Sequence, residues 1–118
     1  MNAFIMSISG ITTAAGTGGE WAIPVPTRLR ILACWVTDTD GIAADNTDYV
    51  DSDVTGTTGY DSRAANQGGI TADTPIALTL DAAAVIVAAG GQLKVNLAKA
   101  GSGTATEMGV SWLVQPIN

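Results

Sequence analysis

The chain contains no histidine, one cysteine and few charged residues, and each shortage excludes a class of function. Without histidine, the commonest general base and the usual zinc ligand are missing, together with every histidine-based catalytic triad. The single cysteine, Cys34, cannot form an internal disulfide, and its apolar neighbours predict a buried, inert thiol. Because no acid–base constellation is visible, we expect a protein that is not an enzyme and that carries no cofactor.

Basic residues are scarce and scattered. The chain has five of them against eleven acidic residues, which gives a net charge of −6 and no basic stripe that could neutralise phosphates. The same balance disfavours anionic membrane surfaces, and no apolar run approaches the roughly 20 residues that span a bilayer. The segment Met1–Met6 lacks the basic start and long apolar run of a signal peptide. We therefore expect no nucleic-acid or membrane partner, and synthesis and assembly in a cytoplasm.

Apolar residues and glycine dominate what the sequence does contain. Hydrophobic residues make up 47% of the 118, which is enough for one domain with a core of its own. Charged residues are only 14%, so threonine, serine, asparagine, alanine and glycine are left to form most of the surface. A surface of this composition is typical of a protein that lies against other protein surfaces.

Polar and apolar residues alternate most clearly in the last third of the chain. Period-two alternation is the pattern of a strand with one buried face. It runs through Gln92–Leu97, is interrupted by a glycine-rich segment over 100–109, and resumes in Val110–Val114. The pattern predicts a hairpin whose core side chains are Leu93, Val95, Leu97, Val110, Trp112 and Val114.

Further strands are predicted over 4–9, 20–26, 28–36, 49–54 and 76–80. The first, with Phe4, Met6 and Ile8 on one face, is an edge strand or an arm that reaches a neighbour. The second is kept away from a central position by its two prolines, because a central strand must donate hydrogen bonds. The third is predicted to place Leu29, Ile31, Ala33 and Trp35 on one face, opposite Leu32, Cys34 and Val36.

The segment Asp81–Gly90 supports two interpretations. An aspartate cap, an alanine run and a terminal glycine favour one short helix, whereas Val85-Ile86-Val87 favours a turn followed by a strand. With seven or eight short antiparallel strands and at most one short helix near 81–89, the sequence predicts an all-β, single-domain β-sandwich or jelly roll. We expect an N-terminal strand or arm over 1–10 and the sandwich domain over 11–118.

Acidic residues supply the only candidates for metal or acid–base chemistry. Asp38, Asp40 and Asp45 open an acidic stretch that begins like a calcium loop, but Ile42 stands where a ligand is needed and no closing glutamate follows. We therefore favour turn-forming aspartates over a metal site. Glu20 and Glu107 could form a carboxylate pair, but both lie beside glycine-rich turns where solvated carboxylates are expected.

Three tryptophans stand out in a chain with few aromatic residues. Trp35 and Trp112 fall on alternating strands, so we expect both to pack in the core rather than to form a sugar-stacking platform. Trp21 lies among prolines and glycines and is predicted to be the surface or interface aromatic.

Several segments resemble the small capsid decoration (cement) proteins of tailed phages. The C-terminal resemblance lies in Val87–Val95, with its Ala88-Ala89-Gly90-Gly91 entry, in Lys99–Ala105 and in Val110–Pro116; Gly19–Pro26 and Trp35–Gly41 add to it. The likeness covers about two thirds of the chain by its pattern of strands and turns. It implies a jelly-roll β-sandwich, often trimeric, that is located on the virion and bridges subunits of the major capsid protein.

The resemblance carries no catalytic residues over to this chain, so the partner-contact residues are predicted from their own chemistry. They are the apolar Phe4, Ile5 and Met6, the Trp21 loop, the strand residues Arg28 and Arg30, and the loop that carries Tyr60 and Arg63. Two alternatives stay open. One is a carbohydrate-binding β-sandwich that exposes Trp21, Tyr49 or Tyr60, and the other is a jelly-roll shell subunit that assembles with itself.

Overall fold

Nine strands form in the computed structural model, which describes residues 2–118. They are β1 (Phe4–Thr13), β2 (Gly19–Pro24), β3 (Leu29–Asp38), β4 (Val50–Val54), β5 (Tyr60–Asp61), β6 (Ile76–Ala77), β7 (Ile86–Val87), β8 (Gln92–Lys99) and β9 (Thr106–Pro116). The described residues contain no helix, and so none that is long and apolar enough to cross a membrane. The all-β prediction is confirmed.

The strands make two antiparallel sheets. In sheet A the order is β1-β9-β3, and both β6 and β7 pair with the far edge of β3. In sheet B the order is β2-β8-β4-β5. As the prolines predict, β2 lies at the edge of its sheet, paired with β8 alone.

The pairing is that of a jelly roll. Strands pair from the chain ends inward, β1 with β9, β2 with β8, β3 with β6 and β7, and β4 with β5. Pairing of β3 with β9 and of β4 with β8 then joins these strand pairs into the two sheets. The predicted single-domain sandwich of the jelly-roll type is therefore confirmed. Nine strands are found, rather than seven or eight, because two short strands share one edge position beside β3.

A turn at Asp81 separates those two short strands. The Asp81 carboxylate accepts the Ala83 N–H at 3.1 Å, and its carbonyl accepts the Ala84 N–H at 2.8 Å. The chain then extends, and β7 pairs Val87 with Leu29. Of the two interpretations of this segment, the turn followed by a strand is confirmed, because β-branched side chains that pair with β3 outweigh the alanine run.

The core lies between the sheets and includes the predicted set from the last third of the chain. Leu93, Val95 and Leu97 from β8 face β9, whose Trp112 is fully buried. The predicted hairpin is wrong, because β8 belongs to sheet B and β9 to sheet A. Alternation is the same for two strands of one sheet and for two strands that face each other across a sandwich, so the pattern does not distinguish them.

A β-bulge in β3 changes which side chains enter the core. Ile31 pairs with Val114 and Ala33 pairs with Leu113, so Leu32 is an extra residue in the strand. Beyond the bulge, Cys34 and Val36 point inward, and Ala33 and Trp35 point to the outer face. The prediction that Trp35 shares the buried face of Leu29 and Ile31 is therefore wrong.

β1 is paired with β9 from Phe4 to Thr13. The register shifts once, between Ile8 and Ile11, and the buried side chains continue as Ile8, Ile11 and Thr13. The strand thus runs without a break across residue 10, where the predicted arm meets the predicted sandwich domain.

Candidate interaction surface

The outer face of sheet A is mostly uncharged. We use this name for the residues that face away from the core on β1, β9, β3, β6 and β7, namely Ile5, Ser7, Thr12, Arg30, Leu32, Ala33, Trp35, Thr37, Ala77, Ile86, Glu107, Gly109, Ser111, Leu113 and Gln115. Among them, only Arg30 and Glu107 are charged, and they lie near opposite ends of β9, where Arg30 pairs with Gln115. Apolar side chains and hydroxyls fill the space between.

The outer face of sheet B has the opposite character. Glu20 and Lys94 form an ion pair at 3.2 Å there, beside Asn96. On the neighbouring strands, Asp53 pairs with Asn96, and Asp51 pairs with Asp61 of β5. This face is therefore hydrated and charged, whereas the outer face of sheet A is suited to contact with another protein.

The exposed large hydrophobic side chains all belong to sheet A. Within residues 2–118 they are Phe4 at 45%, Ile5 at 53%, Leu32 at 39% and Ile86 at 39% exposure. Ile5, Leu32 and Ile86 lie on the outer face, and Phe4 lies at the start of the edge strand. Scattered apolar residues are normal on a surface, but these share one sheet, so the outer face of sheet A is the candidate for contact with another protein.

Trp35 lies over a shallow depression near the middle of the outer face of sheet A. Thr37, Pro75, Gly109 and Ser111 line the depression with it. The β3 bulge places the ring here, so Trp35 is a surface residue that the alternating pattern assigned to the core. Leu113 and Ile86 also lie on this face, and neither is among the predicted contact residues. Ile86 belongs to the segment 81–90, for which the sequence supports two interpretations.

The predicted apolar arm is the first half of β1. Phe4, Ile5 and Met6 pair with Val114, Leu113 and Trp112 of β9. Met6 is partly buried against the core, while Phe4 and Ile5 remain exposed. The arm residues therefore form one edge of sheet A and adjoin its outer face.

Trp21 and the two arginines occupy three different environments. Trp21 is half-buried on β2, where its ring lies against Gly19 and the core. Arg28 precedes β3 and donates from Nη1 to the Asn118 carbonyl at 2.6 Å. Arg30 is exposed at one end of the outer face of sheet A. Only Arg30 therefore joins the apolar surface directly.

Tyr60 is not a surface residue, contrary to its predicted role. Its side chain is fully buried, and its hydroxyl donates to the Gly68 carbonyl at 2.7 Å. Burial, with Asp38 and Asp61 nearby, raises the pKa of the phenol. Its neighbour in β5, Asp61, is buried as well, so this two-residue strand has no alternation from which the burial of Tyr60 could be predicted.

Arg63 is held within its own loop. It donates from Nε to both Asp61 carboxylate oxygens at 3.0 Å, and its guanidinium lies 4.2 Å from the centroid of the Tyr49 ring. The hydrogen bonds from Arg63 lower the pKa of Asp61. The predicted contact loop is therefore a self-contained cluster on the sheet B side, and its guanidinium covers one face of the Tyr49 ring.

The acidic stretch is used for turns. Asp38 is buried, and its two carboxylate oxygens accept the N–H groups of Asp40 at 3.0 Å and of Glu107 at 2.9 Å. Asp45 accepts the N–H groups of Asp48 and Thr47, which lower the pKa of its carboxyl. Across residues 2–118 no three acidic or cysteine side chains come together as metal ligands. The carboxylates of Asp38 and Asp45 therefore hold turns, and Asp40 takes part through its backbone N–H.

In the described part of the chain, the residues that could act as acid, base or nucleophile lie apart from one another. Glu20 is on sheet B in its ion pair with Lys94, and Glu107 is on the outer face of sheet A. The Cys34 thiol is buried, and burial raises its pKa to about 12. Every buried side-chain nitrogen or oxygen in residues 2–118 has a hydrogen-bond partner, so no unpaired polar group points into a cavity.

Comparison with known proteins adds nothing to this geometry: no family description, no curated protein and no solved structure matches the chain.

Proposed function

We propose that this chain is a structural protein of a virus particle, a capsid decoration protein that binds the assembled shell through the outer face of sheet A. The observation that carries the proposal is the contrast between the two faces of the sandwich. Apolar and hydroxyl side chains cover most of the outer face of sheet A, where Ile5, Leu32 and Ile86 are exposed, while most of the charged strand residues lie on sheet B. The resemblance of the sequence to decoration proteins supports the same conclusion.

A low-charge face binds another protein at small desolvation cost. Covering 100 Å² of apolar surface contributes about 2.5 kcal/mol before the costs of association and ordering are subtracted. The hydroxyls of Thr37 and Ser111 can keep hydrogen bonds with the partner or with bridging water. Arg30 would pair with an acidic group at the rim, and such an exposed pair contributes little energy but fixes orientation.

Stabilisation of a shell follows from mass action. A protein that binds the assembled lattice, and not its separated subunits, lowers the free energy of the lattice by an amount set by its concentration and affinity. The partner in this proposal is the major capsid protein, with one decoration protein bridging adjacent subunits on the virion surface. Self-association is a separate question: the resemblance implies three copies, whereas the free edge of β1 favours two.

Co-sedimentation with intact capsids tests the proposal. The purified chain is mixed with capsids that lack it and, separately, with dissociated major capsid protein at the same subunit concentration. We expect the chain to pellet with capsids at a fixed ratio and to remain in the supernatant with dissociated subunits. A chain that stays soluble in both mixtures contradicts the proposal.

The carbohydrate-binding alternative loses its aromatic platform in this fold. Tyr60 is buried, one face of the Tyr49 ring is covered by Arg63, and Trp21 packs from β2 against the hydrophobic core. Saturable quenching of tryptophan fluorescence by simple sugars would restore this alternative, with Trp35 as the ring to substitute first. The shell-subunit alternative predicts closed shells or filaments of the pure protein in electron micrographs.

A further inference from the structure

The two sheets have four edges, and three of them are protected against pairing with another strand. Proteins protect edges with very short strands, prolines and charges. The β5 edge is two residues long, and the β6/β7 edge consists of two such pieces separated by the Asp81 turn. The β2 edge carries Glu20 and ends at Pro24. None of these offers a long, regular row of free backbone groups.

The fourth edge, β1, has no such protection over its first half. It is ten residues long, contains neither proline nor charge, and pairs on one side only, with β9. Its register with β9 is regular from Phe4 to Ile8, and the single irregularity comes after Ile8. A five-residue flat segment with unpaired backbone groups is therefore open to another strand.

The side chains of this segment are complementary to a second copy of themselves. Phe4, Met6 and Ile8 share the inner side, and Phe4 remains 45% exposed there. If two β1 strands pair antiparallel about Met6, Phe4 of each lies opposite Ile8 of the other. On the outer side, Ile5 then lies opposite Ser7. Phe4 then gains a β-branched cross-strand neighbour, and aromatic–β-branched pairs of this kind stabilise sheets.

Electrostatics also favours a second copy at this edge. The chain carries a net charge of −6, so two copies repel each other over most of their surface. No charged side chain precedes Glu20 in the sequence, so the residues of β1 bring no like charges together when two copies pair along this edge.

We propose that β1 binds β1 of a second copy, antiparallel and centred on Met6, so that the two copies of sheet A become one continuous sheet. The two-fold axis of such a pair is perpendicular to the sheet, and both outer faces then point to the same side. The dimer would present a doubled apolar surface to a lattice. That consequence rests on the proposed function, but the strand pairing itself does not.

Sedimentation of the pure protein, together with cysteine cross-linking, tests the pairing. A five-residue strand pair is a small interface, so we expect a mass that rises from one chain to two as concentration increases. In a Cys34→Ala background, Met6→Cys should form an intermolecular disulfide, because opposed Cα atoms in an antiparallel pair lie about 4.5–5.5 Å apart. Ser7→Cys is the matched control and should cross-link far less, since Ser7 opposes Ile5.

A charge introduced on the β1 edge is a second test of the strand pairing. Ser7→Lys should weaken the dimer by at least about tenfold, while Thr12→Lys, on the same strand beyond the irregularity, should leave it unchanged. A monomer at every concentration, a trimer, or cross-linking at residue 7 in preference to residue 6 would overturn the pairing. A dimer that ignores capsids contradicts the proposed function alone, and a monomer that binds capsids contradicts the pairing alone.

Discussion

Trp35 and Trp112 lie on neighbouring strands of sheet A but on opposite faces. Trp112 is fully buried, and its indole Nε1 donates to the Thr55 carbonyl at 2.9 Å, which ties sheet A to the loop after β4. Trp35 pairs with Ser111, the residue before Trp112, and points outward over a shallow depression. One tryptophan therefore stabilises the sandwich, and the other belongs to the surface that we assign to binding.

The two tryptophans should respond differently to the same substitution. Trp112→Phe removes a buried hydrogen-bond donor and leaves a cavity, so we expect a loss of about 2–4 kcal/mol in the free energy of unfolding. Trp35→Phe should change it by less than about 0.5 kcal/mol, as surface substitutions do. Urea denaturation of both variants measures the difference, and equal losses would contradict their assignment to opposite faces.

The paired carboxylates of β4 and β5 should shift stability in opposite directions. Arg63 lowers the pKa of Asp61, so the ionised form stabilises the fold above the ordinary pKa of 3.8 and this contribution is lost as pH falls through the lowered pKa. Desolvation, with Asp61 and Asp53 close by, raises the pKa of Asp51, so its ionised form destabilises the fold at neutral pH.

Asp61→Asn should therefore lower the melting temperature at pH 7, and Asp51→Asn should raise it. The Asp51→Asn difference should shrink as pH falls through the raised pKa of Asp51, and the Asp61→Asn difference should shrink at lower pH, as pH falls through the lowered pKa of Asp61. Thermal melts at pH 7 and pH 3 check both signs. A lower melting temperature for Asp51→Asn at pH 7 would contradict the electrostatic role given to that residue.

Gly59 should tolerate alanine far less well than Gly90. Both glycines have positive φ angles, 89° and 84°. A Cβ on Gly59 would lie 2.5 Å from the Ser52 carbonyl oxygen, across the β4–β5 hairpin, whereas a Cβ on Gly90 meets nothing within 4 Å. We expect Gly90→Ala to cost about 1 kcal/mol from backbone strain and Gly59→Ala at least about 2 kcal/mol more. Similar unfolding midpoints for the two variants would show that the hairpin backbone moves aside.

The Cys34 thiol should be unreactive until the protein unfolds. It is buried in sheet A, and burial raises its pKa to about 12, so almost no thiolate is present at neutral pH. A thiol reagent added at pH 8 should label none of the native protein over minutes and one thiol per chain in concentrated denaturant. Rapid labelling without denaturant would contradict the packing of β3.

Strand positions and the buried sets of regular strands were predictable from sequence, because one buried face imposes period-two alternation. Leu93, Val95 and Leu97 are examples. The pattern does not identify the partner of each strand, so β8 and β9 were predicted as a hairpin although they face each other. Nor does it reveal the extra residue Leu32, which reverses the faces of β3 after Ile31.

The interaction surface was predictable only in part, for the same reasons. Phe4 and Ile5 are exposed at the sheet edge, as an apolar N-terminal strand predicts. Tyr60 is buried, and its two-residue strand shows no alternation from which this could be predicted. Trp35 reaches the surface through the bulge, and Ile86 through pairing of β7 with β3. Both effects depend on tertiary contacts that local propensity does not contain.

Binding of two matched variants to capsids tests the central claim, that the outer face of sheet A contacts the shell. Leu32→Glu adds a negative charge to that face. Ala22→Glu adds the same charge to the outer face of sheet B, where Ala22 pairs with Lys94. Both residues are exposed. We predict that Leu32→Glu lowers the amount that co-sediments with capsids at least about tenfold, because an unpaired charge would be buried, while Ala22→Glu binds as the wild type does. Equal binding by the two folded variants, or loss of binding by Ala22→Glu alone, would contradict the claim.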